Sequence, residues 1–139
     1  MTTRMVEKRI RIIDLLTAPI NNLRRDIMIN RSVVIVKAKE PFVNWLAMLP
    51  DPTAVSLEEL NQEPAAYLLP ECESEAEQEV IIRRCYPGIF EAELEGWWSN
   101  ENDWPKIRDY QAFTQWFQLE FSSSVFDLTD EELCDDGDD

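Results

Sequence analysis

The stretch Ser32-Val33-Val34-Ile35-Val36-Lys37 decides the fold of this chain. Its four central residues are β-branched and no polar residue interrupts them, which is typical of a central strand covered on both faces, or nearly so. A second, short strand is predicted at Ala66-Tyr67-Leu68-Leu69, because Pro64 and Pro70 bound this apolar run.

Several helices are predicted after the first strand. Pro41 suits the first position of a helix, and a capping box at Ser56-Leu57-Glu58-Glu59 opens a shorter one. A second capping box, Ser74-Glu75-Ala76-Glu77, opens the longest predicted helix, which ends near Trp98. Apolar residues at helical spacing mark the packing faces: Phe42, Trp45, Leu46 and Leu49 in the first helix, and Ile82, Tyr86, Phe90, Leu94 and Trp97 in the longest.

Pro87 and Gly88 lie in the middle of the longest predicted helix. A proline there has no N–H to donate to the carbonyl of Arg83, and its ring clashes with that carbonyl. We therefore expect a kink or a break at this point.

A third strand completes the predicted fold. Asp109 can cap the start of a helix that leads into this strand. The alternation of Phe117, Leu119 and Phe121 indicates that the strand begins directly at the end of that helix. The order β-α-(α)-β-α-α-β predicts an α+β fold: a small three-stranded sheet with helices packed on it in two layers, plus an N-terminal helical extension.

Charge divides the chain into two parts. Residues 1–31 hold seven Lys/Arg and three Asp/Glu, a net charge of +4, whereas residues 32–139 hold six and twenty-five, a net charge of −19. We predict a basic amphipathic extension over residues 1–30, one α+β domain over residues 31–134 and an acidic tail over residues 135–139. A body this acidic repels nucleic acid and anionic membranes and attracts basic surfaces.

The N-terminal extension allows two interpretations. Apolar residues recur at helical spacing from Ile13 to Ile27, with Pro19 interrupting them, as in a basic arm for a membrane surface or a partner groove. Such an arm could bind the acidic body of its own chain or of a neighbouring copy, which makes a homodimer a further expectation. Alternatively, the extension is an upstream-start artefact and the natural chain begins at Met28.

Composition removes most familiar enzyme classes. The chain has no histidine, the commonest general base near neutral pH and the commonest transition-metal ligand, and its three glycines form no phosphate-binding loop. Three cysteines without CxxC spacing fit a reducing cytoplasm better than a disulfide-bonded secreted scaffold. No apolar stretch is long enough for a transmembrane segment. We expect a cytoplasmic protein without a cofactor, and lean against an enzyme.

Carboxylate groups are the remaining candidates for metal binding or acid–base catalysis. Alternate glutamates from Glu71 to Glu79 could bind a hard cation, yet alternate residues on a helix diverge by about 200°, so a solvated, dipole-favoured face is preferred. Glu91 and Glu95 share a helix face, as carboxylate pairs in hydrolases and di-metal proteins do, but an exposed face is again preferred. No catalytic or metal-binding residue is assigned.

Tryptophans concentrate around one polar loop. The neighbours Trp97 and Trp98 diverge by about 100° on a helix, so one is expected in the core and the other partly exposed. Exposed tryptophan is enriched at protein interfaces. The predicted partner-binding residues are Trp97, Trp98, Trp104, Glu91 and Glu95.

Segments from the first predicted strand to Leu128 also resemble known sequences. They are Ser32-Val33-Val34-Ile35-Val36-Lys37 with Pro41-Phe42 and Trp45; Ala66-Tyr67-Leu68-Leu69-Pro70-Glu71; Phe90-Glu91 with Leu94-Glu95-Gly96-Trp97-Trp98; Trp104-Pro105; and Phe113 with Trp116-Phe117 through Ser124-Val125 and Asp127-Leu128. Together, over about residues 28–128, they resemble a group of short, acidic, uncharacterised bacterial proteins. The resemblance implies a bacterial, cytoplasmic origin and no functional residue, and Pro87-Gly88 departs from the continuous helix it implies.

These features predict a non-enzymatic, acidic protein-interaction module that binds a partner with a basic surface. Mimicry of nucleic acid, with carboxylates spaced like phosphates, is the most specific form of this hypothesis, and the body itself is not expected to bind nucleic acid. The alternatives are a carboxylate-based, metal-dependent enzyme or hydrolase, and a protein with no site that the sequence reveals.

Overall fold

The computed structural model describes residues 28–129 and 131–135 and separates two compact units. Residues 30–125 form the larger unit, and the described residues 28–29, 126–129 and 131–135 belong to the smaller. Within the smaller unit, Met28 and Phe126 pair in an antiparallel bridge. The predicted N-terminal helical extension and most of the predicted acidic tail lie outside the described residues.

The larger unit is built on a three-stranded antiparallel sheet. Its strands are β1 (Arg31–Ala38), β2 (Ala65–Pro70) and β3 (Phe117–Ser122), in the order β2-β1-β3. The β-branched run therefore forms the central strand, as predicted, because it supplies apolar side chains to both neighbours.

The two faces of β1 are buried to different extents. Val34 and Val36 are buried on one face, whereas Val33 and Ile35 are half-buried on the other. Val34 pairs with Tyr67 of β2, and the hydrophobic core lies on this face of the sheet. The unbroken apolar run predicts that both faces are covered, or nearly so. One face is fully covered in the structure, whereas the other is covered only in part.

Helices connect the strands in the predicted order, which confirms a small α+β fold. In the described chain they are α1 (Glu40–Ala47), α2 (Leu57–Leu60), α3 (Glu75–Glu95), a short 3₁₀ helix (Glu101–Asp103) and α4 (Tyr110–Trp116).

The two predicted capping boxes form to different extents. Ser56 Oγ accepts a hydrogen bond from the Glu59 N–H at 3.0 Å, and the Glu59 carboxylate accepts one from the Ser56 N–H at 2.9 Å. Ser74 Oγ accepts from the Glu77 N–H at 3.2 Å, but the Glu77 carboxylate accepts from the N–H of Glu73 instead. Both helices thus begin where the sequence predicts.

Helix α3 continues through Pro87 and Gly88 as one element, so the predicted break is not observed. Both residues are exposed, and the carbonyl of Arg83 can therefore turn to water in place of the missing N–H. Ile82 before the proline and Ile89 after it are buried in the core. Packing on both sides of Pro87 thus holds the helix together against the local cost of proline.

Aromatic rings fill the centre of the core. Phe90 of α3 is fully buried, and its ring centroid lies 5.9 Å from that of Phe113, 5.6 Å from Trp116 and 5.3 Å from Phe117. Helix α4 ends at Trp116 and β3 begins at the next residue, which confirms the predicted direct transition. The helix end and the sheet therefore share one aromatic cluster.

Candidate functional site

An open groove of about 450 Å³ lies on the larger unit. Helix α1 and the turn after it supply two thirds of its described lining: Pro41, Asn44, Trp45, Met48, Leu49 and Pro50. The remaining described lining residues are Asp103, Pro105 and Trp116. We call this feature the tryptophan groove.

The α1 wall combines a buried ring with an exposed apolar side chain. Trp45 is 9% exposed, and its ring meets that of Phe42 edge to face at 5.3 Å. Met48 follows at the end of the helix and is 84% exposed. A flexible thioether on a fixed aromatic base is an adaptable contact surface.

Trp116 forms a second wall, beside Trp45. Its half-buried ring lies 6.3 Å from that of Trp45 and 5.9 Å from that of Phe42. Its backbone carbonyl accepts a hydrogen bond from the Lys39 N–H at 2.8 Å, which ties the end of α4 to the start of α1. The two tryptophan walls are therefore held in one arrangement.

Three indole N–H groups hold the loop that carries Asp103. Trp45 Nε1 donates to the Asp103 carbonyl at 2.9 Å, and Trp98 Nε1 donates to Asp103 Oδ2 at 3.0 Å. Trp104 Nε1 donates to the Trp98 carbonyl at 2.7 Å. In the described part of the chain, Asp103 Oδ1 has no hydrogen-bond partner, and Asp103 is the one charged residue of the described lining. This arrangement offers apolar surface and one oriented carboxylate, which suits binding better than acid–base chemistry.

The predicted tryptophans have three different environments. Trp104 is buried, Trp98 is half-buried against the core, and Trp97 is 42% exposed. The two neighbours differ in burial as expected, but the more buried one, Trp98, is only half-buried and neither lies on a helix. Helix α3 ends at Glu95, with Gly96 as its C-cap, so Trp97 leaves the apolar stripe that the sequence assigned to it. Trp98 and Trp104 support the tryptophan groove through their N–H groups and do not line it.

The predicted carboxylates lie on exposed surface. Glu91 and Glu95 are exposed on α3 and do not line the tryptophan groove. The alternate glutamates from Glu71 to Glu79 are also exposed, and Glu79 forms an ion pair with Arg83 at 2.9 Å. Within residues 28–129 and 131–135, no three Asp, Glu, Cys or His residues are grouped so that they could hold a metal ion.

A half-buried pair that the sequence did not reveal links β2 to α3. The Tyr67 hydroxyl donates a hydrogen bond to Glu93 Oε2. Burial raises the pKa of the Glu93 carboxyl, and this bond opposes the rise only in part. Burial and the neighbouring carboxylate raise the pKa of Tyr67 above its ordinary range. Glu93 directly precedes buried Leu94 on the core-facing side of α3. A carboxylate at an otherwise apolar position of a helix is the sequence signal that could have pointed to this pair.

Replacing Glu93 with glutamine should make stability less dependent on pH. Because the pKa of Glu93 is raised on folding, the folded state binds this proton more tightly, and stability falls as pH rises from the unfolded value near 4.5 through the folded one. Glu93→Gln removes that fall while its amide oxygen still accepts from Tyr67. We therefore expect urea unfolding to show that the free energy of unfolding of the variant, relative to that of the wild type, is higher at pH 7 than at pH 4.

The control for this experiment is Glu91→Gln, which makes the same charge change at an exposed position on the same helix. Its stability relative to the wild type should change little between the two pH values. Equal pH effects in the two variants would contradict the role given to burial of Glu93.

No protein-family model matches the chain, and neither the curated proteins nor the solved structures contain a match. Among the described residues, no helix combines the length and the apolar character needed to cross a membrane. The resemblance to short, acidic bacterial proteins stays a prediction.

Proposed function

We propose that this protein is an interaction module that binds an exposed segment of a basic protein in the tryptophan groove. The observation that carries the proposal is the groove itself: two tryptophan walls and an exposed methionine, open to solvent on an acidic body. Binding rather than catalysis is its role in this proposal.

The walls have the chemistry of an interface anchor site. Binding energy at interfaces concentrates in a few desolvated contacts, and tryptophan is prominent among them. Trp45 and Trp116 are fixed by ring packing and backbone hydrogen bonds, so little conformational entropy remains to be lost on binding. Met48 can adjust to the shape of the incoming side chain. An apolar side chain of the partner is therefore the expected anchor.

Charge selects the class of partner. Residues 32–139 carry a net charge of −19, which repels acidic proteins and accelerates the approach of basic ones. A partner segment that places an apolar side chain beside lysine or arginine satisfies both the groove and the surrounding field. In this proposal the exposed Trp97, Glu91 and Glu95 are further residues that such a partner can contact.

Selection from a library of random displayed peptides tests the proposal. The immobilised protein should enrich peptides that combine an apolar residue with lysine or arginine. Met48→Arg places a cation in the groove, and we expect it to weaken the enriched peptides by about tenfold, the loss of one anchoring contact.

The matched control is Ile107→Arg, which makes the same charge change at an apolar residue that is 72% exposed and does not line the groove. It should change peptide affinity less than about twofold, because the repulsion from one added surface cation is screened by salt. Equal weakening by both variants would mean that charge alone binds, as in a nucleic-acid mimic, and would overturn the proposal. Failure to enrich any peptide would overturn it as well.

The proposal includes a cytoplasmic location and a bacterial origin. The location is supported by an odd number of cysteines without CxxC spacing, and the origin by the resemblance alone. Self-association through a basic N-terminal arm remains part of the hypothesis, and the oligomeric state in solution at low and high salt tests it.

A further inference from the structure

We infer that the tryptophan groove selects an arginine side chain, with its guanidinium group on Asp103 and its aliphatic stem along Trp116 and Met48. This inference rests on the proposed function and names the chemistry of the partner at that site. It follows from which groups line the groove and which of their atoms are already bonded.

The carboxylate of Asp103 is oriented but only partly used. Its Oδ2 accepts from Trp98 Nε1 at 3.0 Å, while Oδ1 has no partner among the described residues. Asp103 is half-buried, so a cation that reaches it is screened less than at an open surface. Within the described lining there is no lysine or arginine to neutralise this carboxylate. The groove thus presents an acceptor for a charge-assisted hydrogen bond from outside the chain.

The walls suit the rest of an arginine side chain. Trp116 is half-buried and Met48 is 84% exposed, so both present apolar surface on which a three-carbon stem can lie. A guanidinium group is planar and weakly hydrated and stacks on aromatic rings, whereas an ammonium group is compact and strongly hydrated. Arginine therefore fits an aromatic wall beside a carboxylate better than lysine does.

The chain makes the same type of contact internally. Arg83 lies over the ring of Tyr110 at 4.2 Å while it pairs with Glu79, so one guanidinium meets both an aromatic face and a carboxylate. Arg108 lies 5.5 Å from the ring of Trp104. In the proposed complex, a partner would supply the arginine that meets an aromatic ring and a carboxylate, as α3 supplies Arg83 to the ring of Tyr110 within the fold.

Indole N–H resonances provide a direct test. The chain has five tryptophans, and in ¹⁵N-labelled protein the Trp98 N–H reports on the Asp103 carboxylate while the Trp116 N–H reports on the wall. The probe is N-acetylarginine methylamide, titrated to millimolar concentration. It should shift both resonances saturably, and the citrulline analogue, which has nearly the same shape without the charge, should bind about tenfold more weakly.

Asp103→Asn is the decisive variant. The asparagine Oδ1 can still accept from Trp98 Nε1, so the loop keeps its position while the negative charge is lost. We expect this variant to lose the response to arginine. Asp51→Asn makes the same charge change at an exposed residue beside Pro50 and should keep it.

Three results would overturn the inference: no saturable shift in the wild type, equal binding of arginine and citrulline, or an unchanged response in Asp103→Asn. Failure here is distinguishable from failure of the proposed function. Library peptides that depend on Met48 but tolerate replacement of arginine by citrulline would reject arginine selection and keep the groove. Peptides that bind Met48→Arg as well as the wild type would reject the groove itself.

Discussion

Replacing Phe90 with alanine should lower the free energy of unfolding by about 3–5 kcal/mol, the usual cost of removing a buried phenylalanine ring. Phe90 is fully buried, and its ring is central to the contacts with Phe113, Trp116 and Phe117. The cavity would open where α3, α4 and β3 meet, so the surrounding rings cannot close it without moving the sheet. Chemical denaturation followed by tryptophan fluorescence measures the loss.

The same substitution at Phe126 is the control for Phe90→Ala. Phe126 is 48% exposed, so Phe126→Ala should cost less than about 1 kcal/mol. Small domains have only about 5–15 kcal/mol of stability, and a large loss on Phe90→Ala can leave no cooperative transition, which agrees with the prediction. A Phe90→Ala variant as stable as Phe126→Ala would show that the aromatic cluster is not the centre of the core.

Replacing Pro87 with alanine should raise the free energy of unfolding by about 2–3 kcal/mol, because proline inside a helix costs about 3 kcal/mol relative to alanine. Helix α3 is continuous across Pro87, and the residue is exposed, so alanine restores the hydrogen bond to the carbonyl of Arg83 without disturbing the core. Urea denaturation compares the two proteins.

Gly88→Ala provides a graded comparison for Pro87→Ala. Apart from its chain neighbours and the adjacent helix backbone, no heavy atom lies within 4 Å of a Cβ added at Gly88, so alanine fits there and should add about 1 kcal/mol. The gain at Pro87 should therefore exceed the gain at Gly88. A loss of stability in Pro87→Ala would mean that the packing of Ile89 and Phe90 depends on a helix geometry that only proline imposes.

Local patterns explain why much of the fold could be predicted. The β-branched run at Val33–Val36 favours a buried strand through its own side chains, and Ser56 and Ser74 cap helices through contacts within four residues. The continuity of α3 could not be predicted in this way. It depends on burial of Ile82 and Ile89, which is tertiary packing that outweighs the local cost of Pro87.

The candidate site was predictable only in part, for a geometric reason. Trp45 and Trp116 belong to different helices, and their ring contact is created by the fold, so sequence spacing carries no trace of the wall they form. The sequence does concentrate tryptophans around the polar loop, but the indole N–H groups of Trp98 and Trp104 donate to acceptors within the folded chain. What the loop contributes to the tryptophan groove is Asp103, and nothing in the sequence distinguishes it from the other acidic residues.

The central position of β1 has a consequence for synthesis on the ribosome. Lys37 on β1 and its ion-pair partner Glu120 on β3 are 83 residues apart in the chain. At a synthesis rate of about 5–20 residues per second, roughly 4–17 s pass between the synthesis of β1 and that of β3, its second neighbour in the sheet. During that interval one edge of an apolar strand has no partner, which is the condition under which nascent chains aggregate or recruit chaperones. The strand that organises the finished domain is therefore also its main hazard during translation.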